Sequence, residues 1–115
     1  MALDIGIGDG TSLAPMRTEP ALALDDDAIF WHSTPLFDKI FNATGQQIDL
    51  YGNCSFAGEN LPALERCLLE ALAQVELQPA ESPVEKLKMR EMLARWIEIV
   101  HRACELARPV VCFGD

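Results

Sequence analysis

Two long stretches in the second half of the chain carry apolar residues at intervals of three and four, and this spacing limits the possible folds more than any other feature. In the first stretch the apolar positions are Leu61, Leu64, Leu68, Leu72 and Val75. In the second they are Met89, Leu93, Trp96, Val100, Cys104 and Ala107. This is the spacing with which an α-helix buries one face. We therefore predict amphipathic helices over residues 61–78 and 83–107.

The start of the second helix has the clearest local signal in the chain. The run Ser82-Pro83-Val84-Glu85 places a capping serine before a proline at the first helical position, with a glutamate three residues after the cap. Further along, Glu91 precedes Arg95 by four residues and Glu98 precedes Arg102 by four. Oppositely charged residues at this spacing attract one another on a helix surface, so both pairs are expected on the exposed side.

A shorter helix is predicted over residues 35–44. Ser33 or Thr34 can cap its start, Pro35 suits its first position, and Gly45 can end it. Before and after this helix, apolar residues alternate with polar or small ones over residues 3–7, 21–24 and 47–51, and a short apolar run covers residues 110–113. Alternation of this kind is typical of strands, and the glycine and asparagine at 52 and 53 predict a turn or bulge after the third one.

Together these elements predict an α+β domain that spans residues 1–115. Strands dominate the first half and helices the second, which favours a small, mainly antiparallel sheet with the two long helices packed on one face. The chain has 115 residues and half of them are hydrophobic, enough to bury a core of its own. No apolar run approaches the roughly 20 residues that a membrane span needs.

The charge is strongly negative and unevenly distributed. The formal net charge is −9, and residues 1–60 contain nine acidic but only two basic side chains. Such a protein is repelled by phosphate backbones and anionic lipids, so we do not expect it to bind nucleic acid or membranes directly. A basic protein partner suits it better.

Metal, cofactor and disulfide chemistry are not expected. The cysteines at 54, 67, 104 and 112 include no close pair of the kind that zinc sites use, and we expect reduced thiols that pack as small hydrophobic side chains. Two of them, Cys67 and Cys104, lie on the predicted helix stripes. The N-terminal residues MALDIGIGDG lack the features of a secretory signal, which predicts a cytoplasmic protein.

The residues most suited to contact a partner lie between positions 17 and 32. Two prolines at 15 and 20 stiffen the loop that carries Arg17 and Glu19, although a local ion pair between these two is the simpler reading. Three consecutive aspartates come next, read as a solvated turn, and aromatic residues follow. Carboxylates can steer a basic partner while aromatic side chains anchor it. The predicted binding surface consists of Arg17, Glu19, Asp25, Asp26, Asp27, Trp31 and His32.

Four segments also resemble an uncharacterised family of small acidic bacterial proteins. They are GDGTSLAPMRTEP, ALALDDDAIFWHSTPLFDKI, TGQQIDLYG and the C-terminal RPVVCFGD. This family is similar to the immunity proteins that neutralise polymorphic or contact-delivered toxins. The resemblance implies a cytoplasmic α+β domain without enzymatic activity, which binds one cognate toxin and presents acidic groups to the toxin's basic cleft.

Two other functions stay open at this stage. The first is a small enzyme or ligand-binding protein with a pocket that combines His32 with Asp26 or Asp27 and with Cys54. The second is a self-associating subunit or homodimer, because Leu87, Ile97 and Ile99 lie outside the narrow stripe of the last helix. If that helix is not enclosed by its own chain, these side chains form an apolar face for a second copy.

Overall fold

The computed structural model describes residues 3–9, 16, 19–49, 52–77 and 83–114. In this part of the chain, four strands and four helices form an α+β fold, as predicted. The strands are β1 (Leu3–Ile7), β2 (Leu22–Leu24), β3 (Asn53–Phe56) and β4 (Val110–Gly114). The helices are α1 (Asp27–His32), α2 (Thr34–Thr44), α3 (Asn60–Leu77) and α4 (Pro83–Leu106).

The sheet is antiparallel throughout, with the strand order β2-β1-β4-β3. Its middle strands are the first and the last of the chain. Leu3, Ile5 and Ile7 alternate along β1 and are completely buried, as the alternation in the sequence predicts. Ile5 lies opposite Leu22 of β2 and opposite Cys112 of β4, so the apolar residues of all three strands share one face.

The two long helices pack on the sheet, which confirms the predicted arrangement. Helix α4 contacts β1, β2 and β4, while α3 contacts β3 and lies along α4 and α2. Trp96 of α4 is completely buried, and its ring packs edge-on against Phe37 of α2 with ring centroids 6.5 Å apart. A single core therefore joins the sheet to all four helices.

The buried face of α4 is wider than the predicted stripe and is turned slightly from it. Ile97 and Ile99 are buried, whereas Cys104 is exposed and Ala103 takes its place in the core. Sandwiched between the sheet and α3, the helix has to bury more than one row of side chains. Ala107 ends it in the left-handed conformation, with φ of 53°, and is exposed. The placement of Cys104 and Ala107 on the buried stripe was wrong.

One predicted strand is displaced along the chain. Residues 46–49 form no strand, residues 50 and 51 lie outside the described part, and β3 occupies Asn53–Phe56 instead. The reason is the register with β4, where Cys54 and Phe56 face Cys112 and Val110. This register puts the side chains of Cys54 and Phe56 into the core. Residues 46–49 contribute the buried Ile48 without joining the sheet.

Substitutions on α4 distinguish an enclosed helix from an open one. We expect Ile99→Ala to lower the free energy of unfolding by about 2 to 5 kcal/mol, because Ile99 is fully buried. The matched control Leu87→Ala, at a side chain that is 49% exposed, is expected to change it by no more than about 0.5 kcal/mol. Urea unfolding followed by circular dichroism measures both, and similar small effects would contradict the enclosed helix.

Candidate partner-binding surface

A row of cations on α4 organises the surface that the sequence predicts for binding. Lys88, Arg95 and Arg102 are seven residues apart, and because seven residues nearly complete two helical turns, the three lie almost in line. Each of them has a partner in the segment that precedes α1. We call these three residues the cation row, and residues 19–26 the acidic segment.

Each member of the cation row binds a different part of the acidic segment. Lys88 Nζ lies 3.0 Å from Asp26 Oδ2, and Arg102 Nε donates a hydrogen bond of 3.0 Å to Glu19 Oε2. Between them, Arg95 Nε donates to the backbone oxygen of Ala21 over 2.9 Å. The acidic segment therefore runs antiparallel to α4, and the helix fixes it along its length.

Arg102 and Glu19 form an ion pair that the sequence did not suggest. Glu19 pairs with Arg102 across 83 residues of the chain, and the expected pair with Arg17 falls outside the described residues. Arg102 also binds Glu105 over 3.1 Å, instead of the predicted Glu98. The Glu19 carboxylate, only 17% exposed, is the stronger of the two influences that raise the pKa of Arg102.

The aspartates at 25–27 begin a helix instead of forming a turn. Asp26 is the N-cap of α1, since its Oδ1 accepts a hydrogen bond of 3.2 Å from the backbone N–H of Ile29. Asp25 is exposed, and Asp27 is the first helical residue. Asp26 is thus held from two sides, by the helix that it caps and by Lys88.

At the other end of α1, Trp31 is the most exposed aromatic side chain of the described residues. It is 67% exposed, yet its ring packs edge-on against Phe30 with centroids 5.6 Å apart. Phe30 in turn packs on Phe37 at 5.3 Å, and Phe37 packs on the buried Trp96. A continuous series of aromatic contacts therefore connects Trp31 to the centre of the core.

Hydrogen bonds fix the junction at which α1 meets α2. Ser33 is completely buried and occupies the N-cap position of α2, as predicted. It makes no side-chain capping bond, because its hydroxyl donates to the Ile29 oxygen over 2.7 Å. Thr34 Oγ1 donates to the Trp31 oxygen over 2.9 Å. His32 Nε2 lies 3.4 Å from Glu85 Oε2 on α4. The backbone that carries Trp31 is therefore held from both sides.

An open groove of about 580 Å³ lies between β2 and α4. Its apolar lining comes from Leu22, Leu24, Ile29 and Met92, together with Ala23. Its charged lining comes from Asp25, Asp26, Lys88, Glu91 and Arg95. Residues 22–26 of the acidic segment and two members of the cation row, Lys88 and Arg95, therefore line the groove.

Two members of the constellation suggested for an enzyme or ligand pocket, His32 and Cys54, do not line this groove. His32 is absent from the groove lining, and Cys54 lies on β3, at the opposite edge of the sheet from β2. Within the described residues, no three histidine, cysteine or acidic side chains come together in a group suited to a metal ion. Nor does any described helix have the length and apolarity to cross a membrane.

Of the seven residues predicted to bind a partner, the structure brings together those that belong to α1 and its N-cap. Asp25, Asp26, Trp31 and His32 lie within one helix about 9 Å long and its leading residues. Glu19 is bound by Arg102, and Arg17 and the side chain of Asp27 lie outside what the structure describes. Sequence analysis missed the contribution of α4, whose Glu85 and Lys88 border the same surface. The seven-residue spacing of the cation row was the signal that could have revealed it.

Comparison with known proteins assigns the chain to no group, since no family model, curated protein or solved structure matches it. The surface around α1 therefore has to be interpreted from its own chemistry.

Two neighbouring aspartates provide a test of this local architecture. Asp26→Ala removes a helix cap and the Lys88 contact, so we expect the free energy of unfolding to fall by about 1 kcal/mol. The control Asp25→Ala removes a carboxylate that is exposed and outside these bonds, with an expected change within about 0.5 kcal/mol. Chemical denaturation compares them, and equal effects would exclude a special role for Asp26.

Proposed function

We propose that this chain is a cytoplasmic, non-enzymatic protein of the immunity type, which binds and neutralises a basic bacterial toxin through the surface around α1. We call this the α1 surface, and define it as Asp25, Asp26, Trp31 and His32 with Glu85 and Lys88 of α4. The observation that carries the proposal is the exposed Trp31, held on an aromatic series from the core and adjacent in the chain to His32, which faces the Glu85 carboxylate.

A tryptophan in this position has the properties of a binding anchor. Tryptophan is enriched among the residues that dominate binding energies, because a partner gains a large buried area at little cost in side-chain entropy. Here much of that entropy is already lost, since Phe30 restrains the ring and the Ser33 and Thr34 bonds fix the backbone. At 67% exposure, Trp31 contributes little buried area to the chain's own core.

The charge distribution supports a basic partner. The net charge is −9, and the acidic segment remains negative at Asp25 even after the cation row binds Glu19 and Asp26. Exposed Glu91 and Glu98 extend the negative charge along α4. Electrostatic attraction of this kind accelerates encounter and sets orientation, while the aromatic contact determines how long the complex lasts.

The partner itself can be identified by affinity capture. The purified chain, immobilised at low salt, is exposed to extracts of the native bacterium, and bound proteins are released by a salt gradient and identified by mass spectrometry. One basic toxin domain recovered in equimolar amount supports the proposal. Recovery of the chain alone contradicts it and favours self-association.

The binding role of Trp31 has its own test with the captured toxin. Trp31→Ala is expected to raise the Kd about 30-fold or more, which corresponds to about 2 kcal/mol for an anchor residue. Leu69→Ala is the matched control, because Leu69 is an exposed apolar side chain on α3 and is expected to leave the Kd unchanged. Calorimetric titration measures both, and equal affinities would remove Trp31 from the interface.

The electrostatic part of the proposal is tested at Asp25. Because Asp26 has a structural role, the informative change is Asp25→Asn, expected to slow association about twofold to fivefold at low salt and to reduce its salt dependence. Glu70→Gln removes one exposed carboxylate from α3 and controls for net charge. Stopped-flow association rates decide the point, and equal slowing by both variants would show a general charge effect only.

A further inference from the structure

Two buried cysteines face each other across neighbouring strands at the edge of the sheet opposite the α1 surface. Cys54 of β3 lies directly opposite Cys112 of β4, and both belong to the buried face. Gly114 N donates a backbone hydrogen bond of 2.9 Å to Gly52 O, two residues away on each strand. Since hydrogen-bonded pairs alternate in an antiparallel ladder, Cys54 and Cys112 form such a pair, with Cα atoms about 5.5 Å apart.

This separation lies in the range that disulfides span. Cα distances across disulfides run from about 4.4 to 6.8 Å. The two side chains also point to the same side of the sheet, as opposed residues on antiparallel strands must. Geometry that a sequence alone cannot reveal therefore places two thiols, 58 residues apart in the chain, in position to react.

The thiols already interact with each other in the reduced protein. A hydrogen bond with Cys112 lowers the pKa of Cys54, and the same bond together with burial raises the pKa of Cys112. Cys54 lies on the edge strand and is the less buried of the two, so it is the thiol that a small disulfide reaches first, and its thiolate is the form that attacks disulfides.

We propose that Cys54 and Cys112 are a thiol–disulfide exchange site, which low-molecular-weight disulfides oxidise to an intrachain disulfide joining β3 to β4. This site is independent of toxin binding. It makes the end of the sheet that carries β3 sensitive to the thiol–disulfide balance of the cell.

The exchange proceeds in two balanced steps. The Cys54 thiolate attacks one sulfur of the small disulfide, so that an S–S bond forms on Cys54 while the S–S bond of the reagent breaks and one small thiolate leaves. That thiolate takes the proton of Cys112. The Cys112 thiolate then attacks Cys54 Sγ and expels the second small thiolate, which is protonated by solvent. In total, two protein thiols are oxidised by two electrons and one small disulfide is reduced to two thiols.

Access to the site depends on movement of β3. Cys54 is only 7% exposed, but β3 is a four-residue strand at the end of the sheet and pairs with β4 alone in it. Short edge strands open at low free-energy cost compared with the whole domain. Opposed Cβ atoms of a hydrogen-bonded pair also lie farther apart than a disulfide prefers, so the bond is expected to be readily reduced.

The other two cysteines provide controls and have to be removed for a clean measurement. Cys104 is exposed on α4 and reacts without any opening of the sheet. Cys67 is buried on α3, where burial raises its pKa, and its thiol lies 3.9 Å from the Lys39 oxygen. The test protein is Cys67→Ala/Cys104→Ser, whose fold is checked against the parent by circular dichroism.

The experiment incubates the test protein with oxidised glutathione. We expect both thiols to be lost, a fall in mass of about 2 Da for the two hydrogens, a peptide that links residues 54 and 112, and complete recovery with dithiothreitol. Adding Cys112→Ser should instead trap one glutathione on Cys54. The four-cysteine parent is mapped in parallel, where the same cross-link should appear beside a glutathione adduct on Cys104, so the result does not depend on one variant.

Two outcomes would overturn the proposal. One is that both thiols of the test protein, and Cys54 and Cys112 of the parent, stay free at equilibrium with excess oxidised glutathione. The other is that glutathione remains on Cys54 although Cys112 is present, because Cys112 then cannot reach it. The toxin-binding proposal is measured with reduced protein, so its failure and the failure of the thiol pair are distinguishable.

Discussion

The packing of α4 is the constraint on which the rest of the structure depends. One face of this helix buries Trp96 and its neighbours against the sheet. Removing this large apolar area from water stabilises the folded state. The adjacent side carries the cation row, which binds the acidic segment along its length. Once α4 is placed, the position of β2, the start of α1 and the direction of the intervening chain follow from it.

This arrangement changes the meaning of the net charge. A total of −9 concentrated in the first half of the sequence suggests a uniformly repulsive surface. In the fold, two of those carboxylates have cationic partners at 3.0 Å, so part of the negative charge is neutralised by contacts within the chain. Such partly exposed pairs contribute little individually to stability. Their effect is positional, since they orient α1 and with it the exposed Trp31.

Periodicity in the sequence was sufficient to predict the elements whose burial is one-sided. Both long helices, the helix that ends at Gly45, the first two strands and the last one lie where their apolar spacing indicates. Gly45 has φ of 76°, the left-handed conformation for which glycine ends helices. These features depend on interactions between residues that are close in the chain, and these interactions can be predicted from the sequence alone.

The predictions that were wrong concern segments whose structure depends on contacts with distant parts of the chain. Segment 47–51 alternates as well as 53–56 does, and only the register with β4 selects the second. Helix α1 is six residues long, too short to show a period, and it depends on the cap by Asp26 and the packing of Phe30. For the binding residues, Glu19 could not be assigned to Arg102 because i,i+4 rules do not reach across 83 residues.

The two edges of the sheet differ in a way that separates the two proposed activities. At the β2 edge, Arg95 binds the Ala21 oxygen and α4 contacts the strand, so the chain leading to α1 is restrained by side chains as well as by the ladder. At the β3 edge, a four-residue strand depends on its ladder with β4 and on packing below it. A binding surface gains affinity from rigidity, because less entropy is lost on association. A buried thiol pair reacts only if its surroundings open. The cation row thus restrains the β2 edge, and the thiol proposal requires opening at the β3 edge, where no such row of side-chain contacts is present among the described residues.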